Sequence, residues 1–143
     1  MPPSALEREP ETAPGQELAV AAESLYLANL LLLPVLSFAA LVWLYLGQDR
    51  ETPPLARAHL AQTLAASVWA GVLLVGVNVV ILLVGGYDGP NTWMVVIVYF
   101  TVFHSTLVML GILGLAKAMA GQCWRFPLVG RPLPDGCAGK RRG

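Results

Sequence analysis

Charge is scarce in this chain. Asp, Glu, Lys and Arg together make up 13% of its 143 residues, whereas apolar residues make up 56%. A soluble domain of ordinary composition carries roughly 25% charged residues. The apolar residues also stand in long blocks, unlike the periodic pattern of an amphipathic core. The composition therefore excludes an ordinary soluble domain and predicts a small integral membrane protein of one domain.

Motifs for catalysis and for metal binding are also lacking. The sequence has no Gly-rich phosphate loop, no paired carboxylates inside an apolar block and no metal-spaced cluster of His and Cys. An enzyme needs groups of tuned proton affinity within hydrogen-bond reach of a substrate. We therefore expect the protein not to be an enzyme and to hold no resident cofactor or metal. We also expect no nucleic-acid partner.

Three apolar blocks predict three transmembrane helices, at about residues 25–46, 60–84 and 93–116. Each block has about the 20 residues that a helix needs to cross a hydrocarbon core of roughly 30 Å. The predicted fold is an all-α integral membrane protein whose three-helix domain occupies residues 17–121. Pro34 interrupts the first block, so the first helix either kinks there or follows a segment that lies along the membrane surface.

Two tails of opposite charge flank the predicted domain. Residues 1–16 are rich in Pro, Glu and Ala and poor in large apolar side chains, which predicts a disordered acidic tail. Residues 122–143 are rich in Gly, Pro and basic residues, and we expect them to be extended. No basic region precedes the first block and no small-residue cleavage site follows it, so we expect no removable signal peptide.

The placement of Lys and Arg predicts the orientation. Residues 1–23 carry five Glu, the last being Glu23, and a single Arg, whereas the turn between the second and third blocks has no basic residue. The loop after the first block and the C-terminal tail hold the other eight of the nine basic residues. The positive-inside rule then places the C-terminus in the cytoplasm and the N-terminus outside, in a bacterial inner membrane.

Cys123 and Cys137 fall on the predicted cytoplasmic side. That compartment is reducing, which disfavours a disulfide. Their spacing also fits no common zinc pattern, so we expect two free thiols without a role.

The two histidines are candidate ligands. His104 lies about eleven residues into the third block, near the middle of the bilayer, whereas His59 lies at the cytoplasmic mouth of the second block. This separation excludes ligation of one haem iron by both. His104 could be a lone pigment or haem ligand, because ionisable groups at this depth are functional candidates. The alternative is a neutral imidazole hydrogen-bonded to a neighbouring helix, with Ser37 as candidate partner.

Two polar motifs stand at the ends of apolar blocks. Residues 57–64 have the sequence Arg-Ala-His-Leu-Ala-Gln-Thr-Leu, and residues 114–127 have the sequence Gly-Leu-Ala-Lys-Ala-Met-Ala-Gly-Gln-Cys-Trp-Arg-Phe-Pro. These motifs, within residues 25–133, resemble a small bacterial membrane family of unknown function. That family is related to the twenty-kilodalton Tic subunit of the chloroplast inner-envelope translocon.

The resemblance falls on the start of one helix and the exit from the last. At the start it matches His59 and Gln62, although the family often has an Asn before an aromatic residue where this chain has Leu60-Ala61. At the exit it matches Lys117, Ala118, Gly121, Trp124, Arg125, Phe126 and Pro127. The resemblance implies an all-helical membrane fold and no particular activity.

On the predicted topology both motifs lie at the cytoplasmic face. We expect five side chains to meet there across one corner: Arg57, His59, Gln62, Trp124 and Arg125. The corner either holds two helix ends together or binds a partner or anionic lipid head groups.

Small residues four apart predict close helix packing, at Ser67 with Gly71 and at Gly114 with Ala118. We therefore interpret the chain as a non-catalytic accessory or assembly subunit of a larger membrane complex. It would act through helix packing and tail contacts, with membrane lipids and other transmembrane subunits as partners. The alternative is a stand-alone or homo-oligomeric protein in transport or protein translocation.

Overall fold

The computed structural model describes residues 12–137. The regular elements of this range are helices: α1 (Gln16–Leu31), α2 (Pro34–Leu46), α3 (Pro54–Gly71), α4 (Val77–Gly85) and α5 (Thr92–Met119). A π-helical turn at Val72–Gly76 joins α3 to α4 without a break, so that both belong to one helix of 32 residues, Pro54–Gly85. The all-α prediction is confirmed for the described range. Most of the predicted acidic tail, residues 1–11, lies outside that range.

Among residues 12–137, two helices, and not three, are long and apolar enough to cross a membrane. They are Pro54–Gly85 and Thr92–Met119, which take in the second and third predicted spans. The first predicted span, residues 25–46, is wrong because its residues are divided between α1 and α2. With 13 residues, α2 is only about 20 Å long at 1.5 Å per residue, too short for a hydrocarbon core of roughly 30 Å.

The division arises at Leu32 and Leu33, where the chain reverses. Neither residue has helical dihedral angles, and both backbone N–H groups donate to the Ala28 carbonyl at 2.9 Å. Pro34 then occupies the first position of α2, where the missing N–H of proline leaves no hydrogen bond unmade. The two alternatives predicted from the sequence were a kink at Pro34 within one helix and a surface segment that ends at Pro34. The structure shows neither. Pro34 starts the second arm of a helical hairpin.

Packing between the arms shows that they are antiparallel. A cluster of Ala22, Leu41 and Leu60 has Leu18 of α1 and Leu44 of α2 packed against it, so the end of α2 lies near the start of α1. The two arms therefore bring the chain back to the end of the bundle at which α1 starts.

The tip of this hairpin stops beside the middle of α5. His104, about midway along α5, has its Nε2 3.1 Å from the Leu30 carbonyl oxygen. Three leucines at the tip are exposed, with Leu32 at 76%. In a membrane crossed by α5, such apolar side chains at mid-depth would contact lipid. The tip of the hairpin therefore lies level with the middle of α5 and short of its far end.

The chain ends of the described range meet at one end of the bundle, which we call the polar end: residues 12–17, 46–57 and 117–137. Gln16 Nε2 donates to the Met119 carbonyl at 2.6 Å, so the start of α1 lies beside the end of α5. Gly15, with a positive φ of 79°, packs so closely on Pro53 that a Cβ there would lie 2.9 Å from the proline Cβ. The two ends of the described range therefore lie at the same end of the bundle, whereas three spans would put them at opposite ends. The predicted orientation in a membrane, with the N-terminus outside and the C-terminus in the cytoplasm, stays a prediction.

Helix α1 lies in the centre of the bundle, against α2, α3 and α5. Close approach to α5 depends on Gly111 and Gly114, which are buried. A Cβ at Gly111 would lie 2.7 Å from ring carbon Cε1 of Tyr26. The predicted small-residue pair Gly114 and Ala118 is therefore at a helix interface, whereas Gly71 faces open space.

The hairpin is tested by single-cysteine labelling at Glu17, Glu51 and Asp88, in a background in which serine replaces both native cysteines. We expect Glu17→Cys and Glu51→Cys to react from one side of the membrane and Asp88→Cys from the other, because only α3–α4 and α5 cross. Reactivity with a membrane-impermeant maleimide, before and after permeabilisation, is the measurement. If Glu17→Cys behaves like Asp88→Cys instead, the first block spans the membrane and the hairpin is wrong.

Candidate functional site

Glu23 of α1 and His59 of α3 form a contact in the interior of the bundle. Both side chains are fully buried, and Glu23 Oε1 lies 2.6 Å from His59 Nδ1. On the other side of the ring, His59 Nε2 lies 2.9 Å from the Gln122 carbonyl oxygen. The histidine therefore joins α1, α3 and the segment that follows α5.

The hydrogen-bond partners of His59 determine where two protons lie. A carbonyl oxygen can only accept, so His59 Nε2 carries a proton and donates to Gln122. Two lone pairs would repel at the short Nδ1–Oε1 distance, so a second proton lies between those atoms. The pair is then either an imidazolium with a carboxylate or an imidazole with a carboxylic acid. Its net charge is zero in both forms.

The surroundings of Glu23 favour the neutral form. Burial raises the pKa of Glu23, and the hydrogen bond and charge of His59 only partly oppose this effect. The second carboxyl oxygen, Oε2, is buried and has no hydrogen-bond partner among residues 12–137. It lies against Gly114 of α5, where a Cβ would overlap the carboxyl group. A neutral acid loses less by leaving such an oxygen unpaired than a carboxylate does.

Gln62, about one helical turn after His59 on α3, forms hydrogen bonds to the same C-terminal segment. Its Nε2 donates to the Arg131 carbonyl at 2.6 Å, and its Oε1 accepts from the Phe126 backbone N–H at 3.3 Å. Residues three apart on a helix share a face, so His59 and Gln62 act on neighbouring parts of the segment. We call residues 122–131 the C-terminal strap.

The strap also has an apolar contact with the bundle. The Phe126 side chain is 1% exposed and packs edge-on against Tyr26, with ring centroids 5.4 Å apart. Trp124 packs on Phe126 at 4.5 Å. Helix α5 ends at Met119, and Gly121, with a positive φ of 66°, then turns the chain into the strap. The strap is therefore part of the packed structure, although it has no regular secondary structure.

The structure brings together part of the predicted corner. His59 and Gln62 do meet the strap that contains Trp124. Arg57 and Arg125 do not join them, because Arg57 Nη2 donates to the Asp49 carbonyl at 2.8 Å and Arg125 Nε to the Gly130 carbonyl at 3.2 Å. His59 and Gln62 are fully buried. A binding role for the five residues of the predicted corner stays a prediction.

His104 has the contacts of a packed histidine. Its ring stacks on Phe100 with centroids 5.2 Å apart, and Nε2 must carry a proton to donate to the Leu30 carbonyl. Ser37 is not its partner. The lone pigment or haem ligand alternative would have to use Nδ1 and stays untested.

Two features escaped the sequence analysis. Glu23 entered the sequence analysis only through the charge count of residues 1–23, yet it shares a buried helix face with Ala19 and Tyr26, four residues before and three after it. A carboxyl group on such a face is the signal that could have found it. The expectation of free thiols is wrong, because Cys123 and Cys137 form a disulfide whose Cα atoms are 5.9 Å apart. This bond ties the strap to residue 137.

A family model described as the magnetosome magnetite crystal formation protein family, MamF/MmsF, matches residues 16–133. The match takes in the five helices of the described range and the whole strap. This chain belongs to the MamF/MmsF family. No curated protein and no solved structure matches it.

Membership of the MamF/MmsF family corrects the resemblance to the Tic-related family, which is wrong. That resemblance depended on a few polar residues at the ends of apolar blocks. Helix ends at a membrane surface favour the same residue types in unrelated proteins, so such motifs discriminate families poorly. The membrane character of the chain and the structural importance of His59 and Gln62 do not depend on the family name.

The contact between Glu23 and α5 is tested by Gly114→Ala. The added methyl would displace a carboxyl group that His59 holds, and we expect a loss of about 1–3 kcal/mol of unfolding free energy. Gly71→Ala is the matched control because nothing lies within 4 Å of a Cβ there, and a helical Gly→Ala change then gains up to about 1 kcal/mol. Thermal unfolding in detergent compares the two. Equal effects would contradict the packing described.

The protonation of the pair is tested by the pH dependence of Glu23→Gln. A carboxyl group whose pKa is raised on folding contributes stability that is complete below its unfolded pKa of roughly 4.3 and is lost as pH rises through the folded value. A Gln amide donates to Nδ1 at any pH. We therefore expect the wild-type Tm to fall relative to that of Glu23→Gln as pH rises. A wild-type advantage that grows with pH would show that the folded pair does not keep the proton between Glu23 Oε1 and His59 Nδ1.

Proposed function

We propose that this protein is a non-catalytic membrane component of magnetite crystal formation and that it works by contact with other membrane proteins. Its membership of the MamF/MmsF family supports the process and the membrane association. The contact mechanism is supported by one observation, the apolar outer surface of α4 and of the first half of α5.

Large apolar side chains cover this surface. On α4, Val84 is 84% exposed and Leu83 79%, and on α5 Ile97 is 61% exposed and Val98 59%. The hairpin α1–α2 reaches only to the level of His104 and so does not cover these side chains. Lipid or partner helices must therefore surround this half of the molecule.

The polar side chains that a transport path would need are used inside the fold. Glu23, His59 and Gln62 hold helices and strap together, and Asn78 Nδ2 donates to the Leu74 carbonyl of its own helix at 2.6 Å. Asn78 Oδ1, in contrast, is buried without a donor among residues 12–137. These polar groups are thus engaged or enclosed within the described fold, which supports contact with a partner over independent transport.

We also propose that the polar end faces the cytoplasm. Within the described range this end holds Arg50, Arg57, Lys117, Arg125 and Arg131, whereas the turn at residues 86–91 holds only acidic Asp88. The positive-inside rule supports this orientation. The Cys123–Cys137 disulfide favours the opposite side, since disulfides persist in oxidising compartments. We give the basic residues more weight because five of them agree.

Deletion of the gene in the native host tests the proposed process. We expect crystals of altered size or shape in electron micrographs while total cellular iron per cell stays normal, because an accessory protein affects growth of the crystal rather than supply of the metal. A loss of cellular iron in step with crystal mass would instead support the transport alternative.

Photo-crosslinking tests the contact surface. A photoreactive amino acid at Val98, on the apolar surface, should yield a defined protein adduct in native membranes. The same substitution at Val35, which is 79% exposed near the hairpin tip, is the matched control and should yield a different product or none. If Val98 gives no protein adduct and the purified protein is monodisperse alone, the accessory role fails.

A further inference from the structure

We propose that a polar pocket at the membrane-facing edge of the polar end binds the phosphate group of an anionic phospholipid. The pocket has a volume of about 460 Å³ and lies between the end of α2 and the start of α3. It is lined by Tyr45, Gln48, Asp49, Arg50, Arg57 and Ala61. This inference does not depend on the proposed contacts with other proteins, because those involve the opposite half of the molecule.

The loop between α2 and α3 holds the Arg57 side chain in a position to bind a phosphate group. Its Nη2 donates to the Asp49 carbonyl at 2.8 Å and to the Thr52 carbonyl at 3.5 Å, which fixes the side chain at the pocket wall. Within residues 12–137, Nε and Nη1 of the same guanidinium make no hydrogen bond. These two nitrogens are therefore available to a ligand, and a guanidinium edge suits the spacing of two phosphate oxygens.

Two further arginines flank Arg57. Arg50 lines the pocket, and its side chain makes no hydrogen bond to the described part of the chain. Arg131 reaches the rim, where its Nη1 lies 3.4 Å from the Tyr45 hydroxyl. Gln62 holds the main chain of Arg131 from the bundle interior at 2.6 Å, so the strap positions this third cation.

The neighbouring acids do not neutralise these arginines by direct pairing. Asp49 Oδ1 accepts from the Glu51 backbone N–H at 3.0 Å and from the Thr52 hydroxyl at 3.1 Å, so one oxygen of this carboxylate is held in the turn. The one ion-pair contact among residues 12–137 is that of Glu23 with His59. Three guanidinium groups thus face two carboxylates, Asp49 and Glu51, neither of which lies within 4 Å of an arginine nitrogen.

The position of the pocket favours a lipid as the source of the phosphate. Trp43 and Leu46, at the same end of α2 as the pocket, are each 74% exposed. Tryptophan at a helix end is typical of the membrane–water interface. A phospholipid whose phosphate lies in the pocket could therefore extend its acyl chains along α2. Basic residues at this depth each favour anionic lipid.

Lipid retention measured by native mass spectrometry tests the pocket. Full-length protein is released from mixed micelles that contain phosphatidylglycerol and phosphatidylcholine. We expect the wild type to retain phosphatidylglycerol preferentially and Arg50→Gln to reduce this preference about fivefold, the effect of one basic residue near an anionic surface. Because the Arg50 side chain makes no hydrogen bond within residues 12–137, this variant should fold normally, and Arg57→Gln should show at least as large a loss.

Lys117→Gln is the matched control, since Lys117 is an exposed basic residue of the polar end that does not line the pocket. It should keep the wild-type preference. Equal losses in all three variants, or no loss in any, would overturn the site. Calorimetry with inorganic phosphate, in phosphatidylcholine micelles, separates the two sources of the ligand. Binding of inorganic phosphate by wild type but not by Arg50→Gln, without any lipid preference, would overturn the assignment to a lipid.

Discussion

The architecture depends on a carboxyl group and an imidazole that are buried together. Through His59, Glu23 in α1 is joined to α3 and, beyond the ring, to Gln122 of the strap. Each group alone would be costly to bury, and together they form a pair without net charge. Their contact fixes where the hairpin α1–α2 lies against the two long helices, and so determines which apolar surfaces remain uncovered.

The parts of the fold that follow from length and composition could be predicted from the sequence. The two long helices need only apolar runs that exceed the thickness of the bilayer, and both are present. The contact of His59 and Gln62 with the strap could also be predicted. Residues 57–64 start one predicted span and residues 114–127 end another, so both motifs were expected at the same membrane face. Family membership adds the process, magnetite crystal formation, which no residue of the chain indicates by itself.

The rest depends on three-dimensional contacts that composition does not encode. A 22-residue apolar block has the same composition whether it crosses the membrane or turns back, and a proline at its centre is compatible with a kink or with the first turn of a new helix. Glu23 lies close to an acidic tail in the sequence, so its neighbours give no indication that it is buried against His59. The pairing of Cys123 with Cys137 requires the turn after α5, which sequence spacing alone does not define.

A double-mutant cycle between Glu23 and His59 tests most directly whether their contact holds the bundle together. Unfolding free energies of wild type, Glu23→Ala, His59→Ala and the double variant are compared in one detergent at one pH. If the pair holds the bundle together, the double variant loses less than the sum of the single losses, with an interaction energy of about 1–3 kcal/mol. Additive losses would show that the two groups act independently, and would contradict the central role of the pair in the fold.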